Sequence, residues 1–348
     1  MNFSTLLCVI FSKFDGEKSV NATYHLLRGK RSGQTIQDAK YYQLQMFFGI
    51  LPKLSKAVFD KAVEEVIASN YLTIDDEAIL HLTEKGQVLV QTIPPFNFDG
   101  WHYRGREEIF FARLSLVVQT VSHFRKGDKQ FLPIQRDFEV QQFVKNLLHG
   151  KPIGNPSFAE QLKETLIHVF NESKMSECQK TILTYRFVGD GYTGWTWQQL
   201  SEKLNLQPID VKLHYIESLH IMLKVIGNSE GNLILKQIAT GIRIEIVLTD
   251  STRVTKKYFE KGYSLMDIAA MRKLKLSTIE DHLVEMALND PTFPLSKFVS
   301  SEAKQGVLEK SKEIGTKRLR PLKEAFPQLT YFQLRLILSV PMKGGEIE

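Results

Sequence analysis

The densest group of cations in the chain is Lys317, Arg318, Arg320 and Lys323, set beside Gly315 and Pro321. Side chains of this type contact phosphate, because each one that neutralises a backbone phosphate releases condensed counterions. A phosphate-binding loop, a strip for a protein partner and a solvated helix start all fit this pattern. A second group, Arg28, Lys30 and Arg31, sits among Gly29 and Gly33 and suits either a phosphate contact or cations at a helix C-terminus. It is not a nucleotide-binding P-loop, since Tyr24 stands where the first glycine is required and Arg31 follows Lys30. A third group, Phe96, Phe98, Trp101 and Tyr103 with Arg104 and Arg106, has the composition that stacks on unpaired bases, or that glues a linker to a core.

Two stretches have the layout needed to position such contacts. In 251–287, Tyr258 and Phe259 close a helix, Gly262 permits a tight turn and Ser264 caps a second helix carrying Leu265, Ile268 and Ala269. Ser277 is expected to cap a third, with Ile279 and Leu283 inward and Thr278, Glu280, Asp281 and His282 outward. Arg272, Lys275, Ser277, Thr278 and His282 are the nucleic-acid candidates here. Glu280 and Asp281 suit the helix dipole but repel phosphate, so DNA reading and a structural or protein-binding role both stay open. In 176–223, Ile182, Leu183 and Phe187, then Trp197, Leu200 and Leu204, then Val211, Tyr215 and Leu219 mark three helices, the last opened by Pro208. This stretch resembles the fourth region of sigma-type factors, whose last helix enters the major groove. The loop GDGYTGWTW is longer than usual, and Lys212 and His214 are the candidates on that helix.

Residues 54–70 form an amphipathic helix, followed by two short β-type runs, 71–74 and 79–82, around the acidic turn at Asp75 and Asp76. Helix, hairpin and flanking helices predict a winged helix. The expected fold is mainly α and multi-domain, with winged-helix and helix-turn-helix modules and one small β-hairpin wing. Boundaries follow the breakers: 1–95 helical and winged, 96–245 middle, 246–340 C-terminal helix-turn-helix, and a disordered tail, 341–348.

The 348 residues carry 45 Lys and Arg against 39 Asp and Glu, a net charge of +6 that is compatible with nucleic acid without being diagnostic of it. Cys8 and Cys178 form no CxxC pair, which argues against a disulfide framework or a zinc site. The apolar opening lacks a basic lead, and no apolar run approaches the ~20 residues of a membrane span, so a cytoplasmic, nucleoid-associated location is expected. The sequence has neither an HExxH nor a glycine-flanked nucleophile. His214 and His220 do not stack as metal ligands do at i, i+4. No enzyme activity and no cofactor are expected.

The segment EKGYSLMDIAAMRKLKLSTIEDHL, followed by LRPLKEAFPQLTYFQLRLIL, resembles the helicase-associated helix-turn-helix domain at the C-terminus of many RecQ-type DNA helicases. The opening YHLLRGKRSGQTIQDA is similar to that of the YpbB family, stand-alone proteins of low-GC Gram-positive bacteria whose gene adjoins that of a short RecQ-like helicase. The resemblance implies a non-catalytic DNA-binding accessory acting with a RecQ-like helicase on duplex, fork or single-stranded DNA in repair or recombination. A sequence-specific transcription regulator and a protein scaffold without DNA binding are the alternatives.

Overall fold

Asn2 caps the first helix: its side chain accepts from the Thr5 N–H, and Thr5 reaches back to the cap residue, a reciprocal capping box. The computed structural model describes residues 2–75, 79–231, 233–245, 248–290, 292–315 and 319–339. Helix α1 (Phe3–Phe14) buries Leu6, Leu7, Ile10, Phe11 and Phe14, as its apolar sequence predicts. Ser19 then forms an antiparallel bridge with Ile79, followed by α2 (Val20–Arg28) and α3 (Gly33–Tyr41). After a 3-10 turn at Gln45–Phe47 come α4 (Lys56–Ala68), β1 (Leu72–Ile74), β2 (Leu80–Leu82) and α5 (Glu84–Thr92). The strands pair antiparallel with Leu72 opposite Leu82, and Leu72 and Leu80 point into the core formed with α1 and α4. This order is a winged helix with α4 in the third-helix place. Asp76, in the expected acidic turn, lies outside the described residues.

The middle segment runs through α6 (Gly100–Tyr103), α7 (Glu107–Arg125), α8 (Phe138–Leu148), α9 (Pro156–Glu172), α10 (Glu177–Arg186), α11 (Trp197–Leu204), α12 (Pro208–Asn228) and α13 (Leu233–Ile238). Helix α12 is its axis and packs against α1, α7, α9, α10, α11 and α13. Its buried acids and His220 find partners on other elements. Asp210 accepts from the Phe3 N–H at 2.6 Å, Glu217 from Asn97 N–H at 2.7 Å and Gln179 at 2.8 Å, and His220 from Asp99 N–H at 2.9 Å. The expected groove-entering helix of the sigma-like unit is therefore a core helix, enclosed by neighbours that its local pattern does not reveal.

The last segment contains α14 (Asp250–Glu260), α15 (Leu265–Arg272), α16 (Leu276–Asn289), α17 (Ser301–Glu313), α18 (Leu319–Ala325) and α19 (Tyr331–Ser339). Ser264 caps α15 as expected, accepting from Asp267 N–H at 3.1 Å. Ser277 does not cap α16. Lys273 in the left-handed region (φ 52°) and the Leu274 N–H bond to Ala269 close α15 early, so Lys275 takes the cap position and Ser277 is already helical. Helix α16 packs against α14, α15, α19 and, from the other end of the chain, α3. One hydrophobic core runs from Phe3 to Leu336, with a satellite around Val307, Leu322 and Leu334 under α17–α19. The tail from residue 340 lies outside the described residues.

The linker that opens the middle segment is pinned at Gly100. A Cβ there would stand 2.4 Å from the Phe48 carbonyl oxygen and 2.9 Å from that of Met46, backbone atoms that can move only with the fold. Gly100→Ala is expected to cost on the order of 2 kcal/mol or more in urea unfolding, whereas Gly154→Ala, exposed and with open space for a Cβ, costs about 0.5 kcal/mol or less.

Candidate nucleic-acid interface

The cations that gather on one surface come from all three segments. Around Tyr24, the Arg28 guanidinium lies 5.6 Å from the ring centroid and donates to the phenol oxygen (3.2 Å) and to the Pro52 carbonyl (3.2 Å). Lys56 reaches the same ring from α4, at 5.7 Å, while paired with Asp60. Lys30 Nζ is 3.4 Å from His25 Nε2, and the imidazole is held below its ordinary pKa by burial and then by Lys30, Arg28 and Lys56. That is the signature of a positive local potential.

The group continues along the chain crossing at Gly29 and Gly49. The two backbones approach so closely that a Cβ on Gly29 would meet the Gly49 Cα at 2.8 Å, and Gly49 in turn lies against Arg104. Arg104 is left-handed (φ 53°), donates from Nε to the Trp101 carbonyl (3.1 Å) and lays its guanidinium over Phe48 and Trp101, at 5.0 and 5.3 Å. Its buried Nη2 has no hydrogen-bond partner among the described residues. Burial pushes its pKa down to about 10, with Arg31, Arg253 and Arg106 adding to the fall and Glu285 opposing it. Arg31 precedes α3, Arg106 precedes α7 and donates to the Gly241 carbonyl (2.9 Å), and Arg253 lies on α14, paired with Asp250 (2.8 Å). The resulting ridge of Arg28, Lys30, Arg31, Lys56, Arg104, Arg106 and Arg253 can hold a polyanion by its phosphates. Cations at such a surface position a duplex without reading base edges.

The expected site residues divide sharply. Arg28, Lys30 and Arg31 lie on the ridge, with Lys30 and Arg31 exposed. Lys212 does not: it pairs with Glu108 at 2.7 Å and sits over Trp197 and Tyr215. Arg272 is a staple between α15 and the start of α14, donating to the Ser251 carbonyl (2.8 Å) and hydroxyl (3.0 Å) and to Thr255. His282, expected outward, is 7% exposed, with Nδ1 2.7 Å from the Thr255 hydroxyl, because α14 covers that face of α16. Asp281 is tied to Arg335 at 2.6 Å. Lys275 and Ser277 are exposed and Thr278 half-buried at the N-terminal tip of α16. Lys323 spends its ammonium on the Pro327 (2.7 Å) and Leu329 (2.6 Å) carbonyls, and exposed Arg320 pairs with Glu324 at 3.2 Å. Lys317 and Arg318 lie outside the described residues.

Trp101 and Phe98, each 6% exposed, and Tyr103 at 3% are not available to stack on bases; they pack on Phe48, Phe47 and His220. The linker aromatics are core. Lys56 and Arg253 do not stand out in the sequence because each has an acidic neighbour one helical turn away, the look of an ordinary solvated pair. Among the described residues no group of His, Cys, Asp and Glu could hold a metal ion, and no helix is long and apolar enough to cross a membrane.

Burial and the Arg272 charge lower the His282 pKa to about 4, against an ordinary value of 6.5. Because the folded value is depressed, the unfolded chain binds the extra proton, so stability is complete above pH ~6.5 and falls as the pH drops toward ~4. The loss is at most about 3 kcal/mol, at ~1.4 kcal/mol for each tenfold change in proton affinity. Glu285, raised by burial, has the opposite sign. The measurement is therefore the difference in urea stability between wild type and His282→Gln at pH 7 and pH 4.5, which should shrink at the lower pH.

The helix-turn-helix domain family matches residues 251–338, the span of α14 to α19. Protein YpbB of Bacillus subtilis (strain 168) is 30% identical over 345 residues, covering 97% of this chain and 97% of that protein. No solved structure matches the chain. With that identity along nearly the full length of both chains, and a helix-turn-helix domain where the geometry places one, the protein belongs to the YpbB family.

Proposed function

We propose that this protein is a non-catalytic DNA-binding accessory that grips the sugar-phosphate backbone along the basic ridge and supplies its winged-helix and helix-turn-helix modules in trans to a RecQ-type helicase in repair or recombination. The observation that carries the DNA half is the convergence of Arg31, Arg104, Arg106 and Arg253, from three segments of the chain, on one partly desolvated point. Bringing like charges together costs folding energy, and a bound polyanion offsets that cost. The helicase half rests on the resemblance of the C-terminal segment to helicase-associated domains and on a sequence without a nucleotide-binding phosphate loop. The motor then belongs to another polypeptide.

A sequence-specific regulator is the weaker reading. Of the third helices, α12 is enclosed and α16 exposes only its first turn, so the one open to a groove along its length is α4. Its outer face carries Glu64 and Glu65 beside Lys61, and acids repel phosphate at the groove edge.

The test is duplex binding by fluorescence anisotropy from 50 to 300 mM salt, for wild type and for the triple variant Arg31→Ala, Arg106→Ala, Arg253→Ala. The log–log slope should flatten by about 0.9 for each phosphate no longer neutralised, so by roughly 2 to 3 in all. An unchanged slope removes the ridge from the DNA site, and no measurable binding by wild type moves the scaffold reading forward. For the partner half, a RecQ-type helicase should stay near-stoichiometric through nuclease-treated affinity purification from the native host.

A further inference from the structure

The loop between α7 and α8 holds three consecutive apolar residues in water: Leu132 is 89% exposed, Pro133 is exposed and Ile134 is 48% exposed. A run of this kind serves an interaction, because a loop that only connected two helices would carry polar residues there. The loop is braced at several points. Gln119 of α7, itself 5% exposed, spends both ends of its amide on the backbone either side of Pro133, donating to the Leu132 carbonyl (3.1 Å) and accepting from the Ile134 N–H (2.9 Å). Phe131 stacks on His123 with ring centres 4.5 Å apart, and Gln141 donates to the Gln135 carbonyl at 2.7 Å. The backbone is thereby satisfied and the Leu132 side chain is held outward. Phe138, the first residue of α8, is 71% exposed, so its ring is open to a ligand.

The charge around this tip is positive. Arg125, Lys126, Lys129 and Arg136 are all exposed. Of the two acids in the same stretch, Asp128 lies 2.7 Å from His123 Nδ1 and Asp137 caps α8 by accepting from the Val140 N–H at 3.1 Å. Glu139, next along, sits in the first turn of α8, where the helix dipole favours an acid. An apolar tip with cations on both sides of it fits a base face flanked by phosphates. The loop also borders the ridge, since Ile134 and Gln135 share the lining of a cavity of about 500 Å³ with Pro52 and Lys53, and Arg28 donates to the Pro52 carbonyl. We propose that this loop is a wedge for the place where a duplex opens into single strands, a reading that rests on DNA binding by the ridge. Leu132 and Pro133 cover the last base pair, Phe138 takes an unpaired base, and the four cations hold the phosphates beside it. The open end is favoured because its last pair already lacks a stacking neighbour, whereas entry between internal pairs must first unstack them.

The experiment compares the full-length protein on a duplex closed at both ends by tight hairpin loops, which cover the terminal pairs, with the same duplex opened at one end into a fork. A 2-aminopurine paired beside the fork reports stacking there. Wild type should bind the fork about tenfold tighter than the closed duplex and change the probe's emission. Leu132→Ala and Phe138→Ala, both at exposed positions that the core does not need, should bring the fork-to-closed ratio toward one while closed-duplex affinity and its salt slope stay at the wild-type values; Leu132→Phe should keep the preference. A ratio near one in wild type, alongside normal closed-duplex binding, overturns the wedge and leaves the ridge standing. A fork preference that neither alanine variant alters also overturns it, and leaves the exposed loop to a protein partner. Absence of binding to either DNA refutes the ridge reading, and the wedge with it.

Discussion

The docking of α3 against α16 and α19 is the contact on which the rest of the arrangement depends. It joins the two ends of the chain through specific groups. Lys40 reaches from α3 to the Leu288 carbonyl in the last turn of α16, at 2.5 Å, placing a cation where the helix dipole is negative. Tyr41 donates to the Arg335 carbonyl (2.8 Å), and Arg335 in turn pairs with Asp281 and donates to Gln37 (3.2 Å). The ion pair is half in solvent and contributes about 1 kcal/mol or less, so its role is mainly register. The apolar surface buried beneath it supplies the affinity. Without this docking Arg31, immediately ahead of α3, would not stand beside Arg253 of α14 and Arg104 of the linker, and there would be no ridge.

Packing against neighbouring helices also covers most of the third helices of the helix-turn-helix units. An amphipathic surface helix has one apolar stripe, but α16 is covered by α14, α15, α19 and α3, and α12 by helices on every side. The polar residues that a helical projection sends outward are turned inward and satisfied there. Glu285 accepts from the Thr249 and Thr252 hydroxyls at 3.1 and 2.6 Å, and His282 meets Thr255. Each donor must be in place, since a buried carboxylate left unpaired would cost several kcal/mol. A helix held this tightly makes a rigid frame for the ridge.

Local chemistry was the legible part of this protein. The helical period gives α4, expected over 54–70 and found at Lys56–Ala68, Ser264 and Gly262 mark the turn into α15, and the strand-like runs on either side of Asp75 give the wing hairpin. The partners of polar side chains were not legible, because they lie far away in the chain. Nothing near Asp281 announces Arg335, and nothing near His282 announces that Arg272 and Thr255 converge on it. The Ser277 cap fails for a subtler reason. Serine ahead of an apolar run is a good cap, but the left-handed residue at Lys273 had already ended α15, and the chain re-entered helix sooner than the cap preference implies. Among the basic groups named from the sequence, Arg28, Lys30 and Arg31 combined access to solvent with closeness to other cations, and their neighbouring glycines were the visible sign: Gly29 is the residue that lets the second backbone approach.

Arg104 shows why the ridge is better understood as a preorganised anion site than as a solvated patch. A non-glycine residue in the left-handed region costs roughly 1 kcal/mol, a buried guanidinium nitrogen without a partner costs more, and three like charges nearby add repulsion. Stacking on Phe48 and Trp101 offsets part of this. The carboxylate that opposes the repulsion, Glu285, already accepts from three donors, and burial raises its pKa. A solvated patch would let such a side chain swing into water. This one is fixed by its bond to the Trp101 carbonyl, so the site keeps its geometry, and phosphates reaching the mouth of the ridge find the cost of ordering those cations already met by the fold.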